Sequence, residues 1–340
     1  MNLLPSPEQA ELTAAAARFL AAAAPVNDAG ALWGEMASLG WLAIGVSAEL
    51  GGAGGSAADQ ALLFRELGRA LAPGPLLGTA LGVAVAIAGG HAELAQSLMN
   101  GGTTAALAEP WRDGSAGVAG GEAGAAGGGA RVSGRFRLLD VDTAGWVTVL
   151  TPNGLAIVGA EQVRDRAHSL PAPDATVPVA LAQLDGVDAE LAVTGEVDRS
   201  VVVARGRILA AALLVGILEA VRDLSVAYVL QREQFGKPIG SFQAVKHRCA
   251  DMAVRAEAAG SLLWLAALSL DAGAPDAARL AASVKALASE YAVVSAHDNV
   301  QNHGGMGFTA ECSAHLYVKR ALEWSVTLGT PDLLLAEVAR

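Results

Sequence analysis

The chain is poor in residues that would cross-link it, charge it positively or supply large flat rings. Cys249 and Cys312 are its only cysteines, and two isolated thiols give neither a disulfide framework nor a metal-ligand spacing. That usage fits a reduced, cytoplasmic protein. Lysine and arginine number 23 against 34 aspartates and glutamates, for a formal net charge of -11. Neutralising phosphates needs a basic face, so no nucleic acid partner is expected. Aromatic residues make up only 4% of the chain. Met1 leads into Pro5, Ser6 and Glu8 without a basic n-region, so no secretory signal is expected. The apolar runs at Ala80–Ala88 and Ile208–Leu218 are each too short to span a bilayer, which predicts no membrane span. The glycine-rich stretch holds no G-x-G-x-x-G, and no G-K-[ST] occurs anywhere; nucleotide cradles of those two types are disfavoured.

Alanine and apolar residues are abundant instead. Hydrophobic residues are 53% of 340 and charged residues 17%, enough for a large core and for more than one domain. Alanine is the strongest helix former, so mainly helical structure is expected. Ser6 is a candidate cap for a first helix. Leu62, Leu63, Leu67 and Leu71 recur at helical spacing, between a restart at Ser56 and a stop at Pro73-Gly-Pro75. From residue 106 the character changes. Gly114–Gly129 predicts a flexible loop. Runs with strand character follow at Arg131–Leu139, Gly145–Thr151, Leu155–Gly159 and Glu190–Thr194, with turn signals at Pro152-Asn-Gly154 and Asp185-Gly186. Asp198 is a candidate cap for a helix reaching about Arg232; Phe242–Asp271, Ala274–Asn302 and Ser313–Ser325 read as further helices. The expected fold is mainly α with a small β domain: helical over 1–105, β over 106–197, helical over 198–340.

Two segments carry the chemistry. In Tyr228-Val-Leu-Gln-Arg-Glu-Gln-Phe-Gly-Lys-Pro238 a long apolar helix ends on a cation and an aromatic ring. Arg232 offers a planar, permanently charged donor fork that matches a pyrophosphate. Phe235 can pack on a flat ring. Gln243 lies in the first turn of the next helix, where its amide and nearby N–H groups can face an anion or a heteroaromatic edge. The same residues also make an ordinary helix end: Gly236 terminates it, Pro238 prevents continuation and Arg232 complements the dipole. Downstream, Gln301-Asn-His-Gly-Gly-Met-Gly-Phe308 carries paired glycines that let a backbone approach a ligand closely. Taken alone it is a glycine turn with a structural His303.

Both segments resemble the acyl-CoA dehydrogenase family: the first its flavin-pyrophosphate signature, the second its Gln-x-x-Gly-Gly-x-Gly turn. Leu39-Gly-Trp-Leu42, Glu49-Leu-Gly-Gly52 and the run Glu66–Pro75 are similar to the family's first helical domain. The resemblance covers nearly the whole chain, most strongly from residue 199. It implies an N-terminal helical domain, a middle β domain and a C-terminal four-helix bundle. It also implies FAD, α,β-desaturation of an acyl-CoA thioester and an electron-transfer flavoprotein as acceptor. The pyrophosphate and adenosine end of FAD falls to Arg232, Phe235 and Gln243, with Gln301, Gly304 and Gly305.

The pattern fails where the reaction needs a base. Removing a weakly acidic α-proton takes a positioned, desolvated carboxylate. Counted without gaps, Thr327-Leu-Gly-Thr330 stands where the family has Glu-Gly-Thr, which puts Leu328 at the base position. The family's alternative base precedes an arginine matching Arg207, and Gly206 occupies that place. Glu311, Glu323 and Asp332 are nearby carboxylates out of register and read as surface charges. Glu109-Pro110 survives, but Trp111-Arg-Asp-Gly-Ser115 follows it, and no Trp-Ile-Ser appears around Leu138-Leu-Asp-Val141; the ring-holding half of the site is degraded. This combination resembles the shorter, base-lacking subunit of actinobacterial heterotetrameric acyl-CoA dehydrogenases of steroid side-chain degradation. It implies FAD shared with a second chain that carries the glutamate. Two other readings stand beside it: a homotetramer with a displaced base such as Glu323, and a flavin-free structural subunit.

Overall fold

The computed structural model describes residues 4–23, 29–111, 116–120 and 129–339. Five helices come first: α1 (Pro7–Ala23), α2 (Ala29–Ser38), α3 (Ala57–Arg69), α4 (Leu76–Ala88) and α5 (Ala92–Met99). The central region holds β1 (Ala105–Pro110), β2 (Gly117–Ala119), β3 (Arg131–Leu139), β4 (Trp146–Thr151), β5 (Gly154–Gly159), the short α6 (Ala160–Arg164), β6 (Ala167–Leu170), β7 (Val179–Asp188) and β8 (Leu191–Val193). Then follow α7 (Glu196–Gln231), a small hairpin of β9 (Glu233–Gln234) and β10 (Lys237–Pro238), α8 (Gln243–Asp271), α9 (Ala277–His303), α10 (Ala314–Val326) and α11 (Pro331–Val338). The helical, β, helical order is the one the sequence predicts.

The described residues form two compact units, with boundaries inside α3 and α7. The first contains residues 1–24, 61–72 and 207–340; the second contains 25–60 and 73–206.

Both early helix starts are reciprocal capping boxes. The Gln9 N–H donates to Ser6 Oγ while the Ser6 N–H donates to Gln9 Oε1. Asp59 and Ser56 repeat the exchange at the start of α3. Each box satisfies two N–H groups that a helix end leaves open.

In the second unit the sheet order is β6-β7-β3-β1-β4-β5-β8, with β2 paired to β3. Among the described residues only β1 and β4 run parallel. Val132, Phe136, Leu138, Val147, Val149 and Val158 fill one buried cluster. The α4 helix lies against β1 and β4 through glycine: a Cβ at Gly78 would sit 2.3 Å from the Ala105 carbonyl oxygen. Thr148 Oγ1 donates to the Gly78 carbonyl at 2.9 Å, fixing the approach. Glu109 and Arg137 stand opposite each other on β1 and β3 and form a largely buried ion pair.

Three expectations change. Asp185-Gly186 is no turn; it is a bulge inside β7, where an extra residue opposes Val132–Gly134 and Gly186 takes φ +64°. A glycine in the left-handed region lets the strand absorb that residue without ending. Asp198 does not cap α7 but lies in its first turn. Most of the glycine-rich stretch falls outside the described residues, yet within it Gly117–Ala119 pairs with β3 as a strand.

In the first unit α7 is the central element. Ile208–Leu218 is part of a 36-residue helix, and both α7 and α8 are long and apolar enough, by length and composition, to cross a membrane. The expectation of a run too short to span therefore fails for Ile208–Leu218, while Ala80–Ala88 lies in the 13-residue α4. In α7, 78% of the apolar window is buried, as in a core helix apolar on every side. Its crossing with α3 is made by two glycines. A Cβ at Gly216 would lie 1.9 Å from the Arg65 carbonyl oxygen, and one at Gly68 would lie 2.1 Å from that of Leu213. Arg65 and Arg69 then reach Glu219, and Arg69 also pairs with Asp223.

Because the backbones touch, Gly216→Ala forces the helices apart. Denaturant unfolding is expected to show a loss of about 3 kcal/mol, in the upper range for overpacking. Gly260→Ala is the control: its Cβ would meet only Val215 Cγ1 at 3.9 Å, and removing a helical glycine there is expected to stabilise by about 0.5 kcal/mol. Equal effects of the two substitutions would contradict this crossing.

Candidate functional site

The first predicted segment closes as a two-residue hairpin. Lys237 pairs with Gln234 and Pro238 with Glu233, leaving Phe235-Gly236 as the loop. Phe235 has φ +54° and Gly236 φ +77°, the two positive values a type I′ turn requires. Glycine adopts this freely, whereas a phenylalanine is strained by roughly 1–2 kcal/mol. Such strain concentrates where a turn has a task. The Phe235 ring is 91% exposed, so burial within the chain does not compensate it. Its one ring neighbour is Phe242, edge to face at a centroid distance of 6.0 Å. Lys237 Nζ sits 4.5 Å over the Phe242 ring.

Arg232 follows the last residue of α7 and is exposed. Its backbone closes the hairpin by accepting from the Ile239 N–H at 2.8 Å. Among the described residues its guanidinium has no hydrogen-bond or ion-pair partner. Gln243 is the first residue of α8, and no side chain caps that helix. An uncapped helix N-terminus leaves N–H groups and the positive dipole end for an anion. The expected site residues Arg232, Phe235 and Gln243 thus share one exposed helix-to-helix connection.

The second segment ends α9. Gly304 has φ 60° and ψ -140°, a region essentially restricted to glycine. A Cβ at Gly304 or Gly305 would meet nothing within 4 Å, whereas one at Gly307 would lie 2.6 Å from the Val300 carbonyl oxygen. Gly307 is therefore explained by packing. Gly305 is not: its backbone edge stays open, as a close-approaching ligand or chain requires. Gln301, Gly304 and Gly305 are all exposed.

A side-chain stack brings the two segments to the same end of the bundle. The rings of Tyr228 and His303 stack at 4.2 Å and 25°. His303 Nδ1 bonds the Asn299 carbonyl at 2.8 Å, which makes Nδ1 the protonated nitrogen. Beneath them Ser225 Oγ donates to Asn299 Oδ1, and Arg248 Nη1 donates to Asn302 Oδ1. Burial pushes the Cys249 thiol above its usual range, so that thiol is a poor nucleophile. Phe242 and Tyr228 thus flank the candidate site, although the sequence reading gave neither a role; aromatic residues beside a predicted aromatic-plus-cation turn are the signal for both.

Leu328 and Gly206, the residues at the two expected base positions, both lie in the interior. Leu328 is buried and holds φ +61° in the turn between α10 and α11. Gly206 is buried within α7, and Arg207 makes a two-pronged ion pair with Glu337 at 2.7 Å. A lysine clamps the Leu328 turn from below. Lys285 is completely buried; its Nζ donates to Ser289 Oγ at 2.8 Å, the Ser325 carbonyl at 3.2 Å and the Gly329 carbonyl at 3.4 Å. Of the nearby carboxylates, Glu311 and Asp332 are exposed. Glu323 is not a surface charge: it is 4% exposed, because α10 turns that face inward beside Ala321 and Trp324. Arg112–Ser115 lies outside the described residues. At Leu138–Val141 the chain is buried and turns at Asp140 with φ 60°.

Comparison with known proteins accords with this geometry. The profile described as acyl-CoA dehydrogenase, C-terminal domain, matches residues 199–340, and the profile for the N-terminal domain matches residues 6–103. The acyl-CoA dehydrogenase IpdE2 of Mycobacterium tuberculosis (strain ATCC 25618 / H37Rv) is 35% identical over 317 residues, covering 92% of this chain and 88% of that protein. This chain belongs to the acyl-CoA dehydrogenase family. Two solved structures resemble it over their length. The Tcur3481–Tcur3483 steroid ACAD, solved as a variant, superposes with TM-score 0.83 at 25% identity over 98% of this chain and 96% of that one. The ChsE4–ChsE5 complex from Mycobacterium tuberculosis does so with TM-score 0.88 at 23% identity over 100% and 98%, a likeness of fold.

The Lys285 clamp generates a stability prediction for this family member. Lys285→Met keeps the stem and removes the bonds that the Ser325 and Gly329 carbonyls accept from it. Each such loss costs about 1–3 kcal/mol, so unfolding measurements should show a drop of about 3 kcal/mol. An unchanged midpoint would mean that the clamp does not hold the turn.

Proposed function

We propose that this family member is the base-lacking subunit of an FAD-dependent acyl-CoA dehydrogenase assembled from two kinds of chain. It holds the nucleotide end of the flavin, and a second acyl-CoA dehydrogenase-like chain carries the catalytic glutamate and the ring pocket. The observation that carries the reading is the pairing of an open anion grip with two empty base positions. Arg232 presents an exposed guanidinium, unpaired among the described residues, beside the uncapped start of α8. Leu328 and Gly206 can accept no proton.

The residues present fit the pyrophosphate and adenosine end of FAD. Arg232 would make charge-assisted, fork-like hydrogen bonds to phosphate oxygens. The first N–H groups of α8, with the Gln243 amide, would face the same anion. Phe235 offers an exposed ring face, and Gln301, Gly304 and Gly305 leave a backbone edge open to the adenosine. When bound, FAD supplies the hydride acceptor for α,β-desaturation. This chain's part is to bind and orient that cofactor; the proton acceptor comes from the partner. The solved complexes ChsE4–ChsE5 and Tcur3481–Tcur3483 are each named for two components, which supports a mixed assembly here. The steroid in the second name supports a bulky ring-bearing thioester as substrate. An electron-transfer flavoprotein is the acceptor expected of the family.

One observation favours a second reading. Glu323 is buried, and its carbonyl accepts from Thr327 Oγ1 at 3.0 Å, next to the Leu328 turn. A desolvated carboxylate there could serve as a displaced base in a homotetramer.

Flavin content separates the readings. Co-expression with the partner should yield a yellow assembly absorbing near the usual flavin band, whereas the chain alone should be colourless. Arg232→Ala in the assembly is expected to weaken flavin retention by about 10-fold or more, the worth of a charge-assisted pair. Activity should survive Glu323→Gln. A yellow, active preparation of this chain alone that dies with Glu323→Gln would establish the homotetramer instead.

A further inference from the structure

In the second unit His91 makes two contacts that fix which of its ring nitrogens carries the hydrogen. The α4 helix ends at Ala88, and Gly90 takes φ +72°. That left-handed glycine lets the His91 N–H return to the Ala86 carbonyl at 2.8 Å. The residue that closes α4 then opens α5. His91 Nδ1 accepts the Leu94 N–H at 3.3 Å and so caps the helix. A ring nitrogen that accepts carries no proton, which puts the hydrogen of the neutral ring on Nε2. From there it is donated to Glu190 Oε1 at 3.4 Å. The Glu190 backbone is held as well, its N–H donating to the Ile157 carbonyl at 2.9 Å.

A second proton sets these contacts against each other. It goes to Nδ1, which then turns a hydrogen toward the Leu94 N–H and accepts nothing. A positive charge at the start of a helix also opposes the dipole. The charged groups about the ring are Glu190 and Glu93, the acid in the first turn of α5. The elements packed on α5, namely α4 and the Trp41–Ala43 turn, carry no titratable residue, and neither does β8 after Glu190. Charge therefore strengthens the Glu190 contact and removes the cap. Glu190 is exposed, and an exposed ion pair is worth less than a helix cap. The loss outweighs the gain. With only eight residues, α5 is too short to stay helical on propensity alone. It also braces a wall. A Cβ at Gly51 would lie 2.6 Å from Gln96 Oε1, and one at Gly101 would lie 3.6 Å from Leu42 Cδ1. Leu42, Val46 and Leu50 line a cavity of about 320 Å³ in the same unit.

We propose that His91 is a proton-operated catch for α5 and, through α5, for the Leu42–Leu50 wall of that cavity. With the ring neutral, the helix is capped and the wall is braced. With the ring protonated, the first turn of α5 opens and the wall loosens. The device stands on this unit alone and does not depend on the flavin assignment.

Hydrogen exchange read by mass spectrometry on the protein in its native assembly tests this. Imidazoles change charge between about pH 5 and 8, so protection, corrected for the intrinsic rate at each pH, is compared at those two ends. Protection over residues 92–99 should be about fivefold lower at the acid end, the worth of a helix cap, and residues 41–52 should follow in the same direction. His91→Asn places a cap that does not titrate at the same position, and should keep full protection at both ends. His91→Ala should show the lower protection at both. Wild-type protection that does not change with pH would overturn the proposal. So would a fall in His91→Asn equal to that of the wild type. Loosening of 92–99 with 41–52 unchanged would overturn the link to the cavity wall.

Discussion

The backbone contact between α3 and α7 at Gly68 and Gly216 is the constraint on which most of this molecule depends. It lets a 36-residue apolar helix run uninterrupted with its middle turns buried. Successive turns of that helix carry almost everything functional. Val201 and Val202 line a cavity, and Gly206 stands where the resemblance puts an alternative base. Arg207 pairs with Glu337, Ser225 bonds Asn299, and Tyr228 stacks on His303. Arg232 emerges where the helix stops. A helix so buried cannot drift in register by a residue without losing several of these contacts together. The position of the cation is thereby fixed by packing far from it.

At the end of that helix the chain keeps strain that its own packing does not explain. A phenylalanine at positive φ with its ring in solvent, a guanidinium without a partner among the described residues and a glycine edge with open space are each unfavourable or idle in an isolated chain. Together they are what a flavin nucleotide and a neighbouring subunit would use. The Leu328 turn behaves differently. It keeps a left-handed backbone and a buried lysine beneath it while presenting a side chain with no acid–base chemistry. On the proposed reading, backbone geometry at a base position and the base itself are separable.

Much of this was legible in the sequence, and what was not has physical causes. Ser6 and Ser56 announced their helices because a capping box is local. Strand β3 was visible because apolar and polar residues alternate along it, and β4 and β5 because β-branched residues recur there. β1, reading Ala-Ala-Leu-Ala-Glu-Pro, was not, since alanine favours helix and only the tertiary sheet overrides it. β7 was obscured by Asp185-Gly186, a turn dipeptide used as a bulge. The Gly68–Gly216 contact joins distant segments and has no local signature. At the site, Arg232 and the Gly304-Gly305 pair stood out by motif. The Phe235–Phe242 contact, the Tyr228–His303 stack and the burial of Glu323 required the fold, because a lone aromatic or carboxylate carries no statement of its neighbours.

The most direct measurement is the structure of the native assembly with its flavin bound. The account predicts a pyrophosphate within hydrogen-bonding reach of Arg232, and an isoalloxazine ring lying against a second kind of chain whose glutamate faces the substrate. A complete flavin enclosed only by copies of this chain, with one of its own carboxylates over the ring, would contradict it.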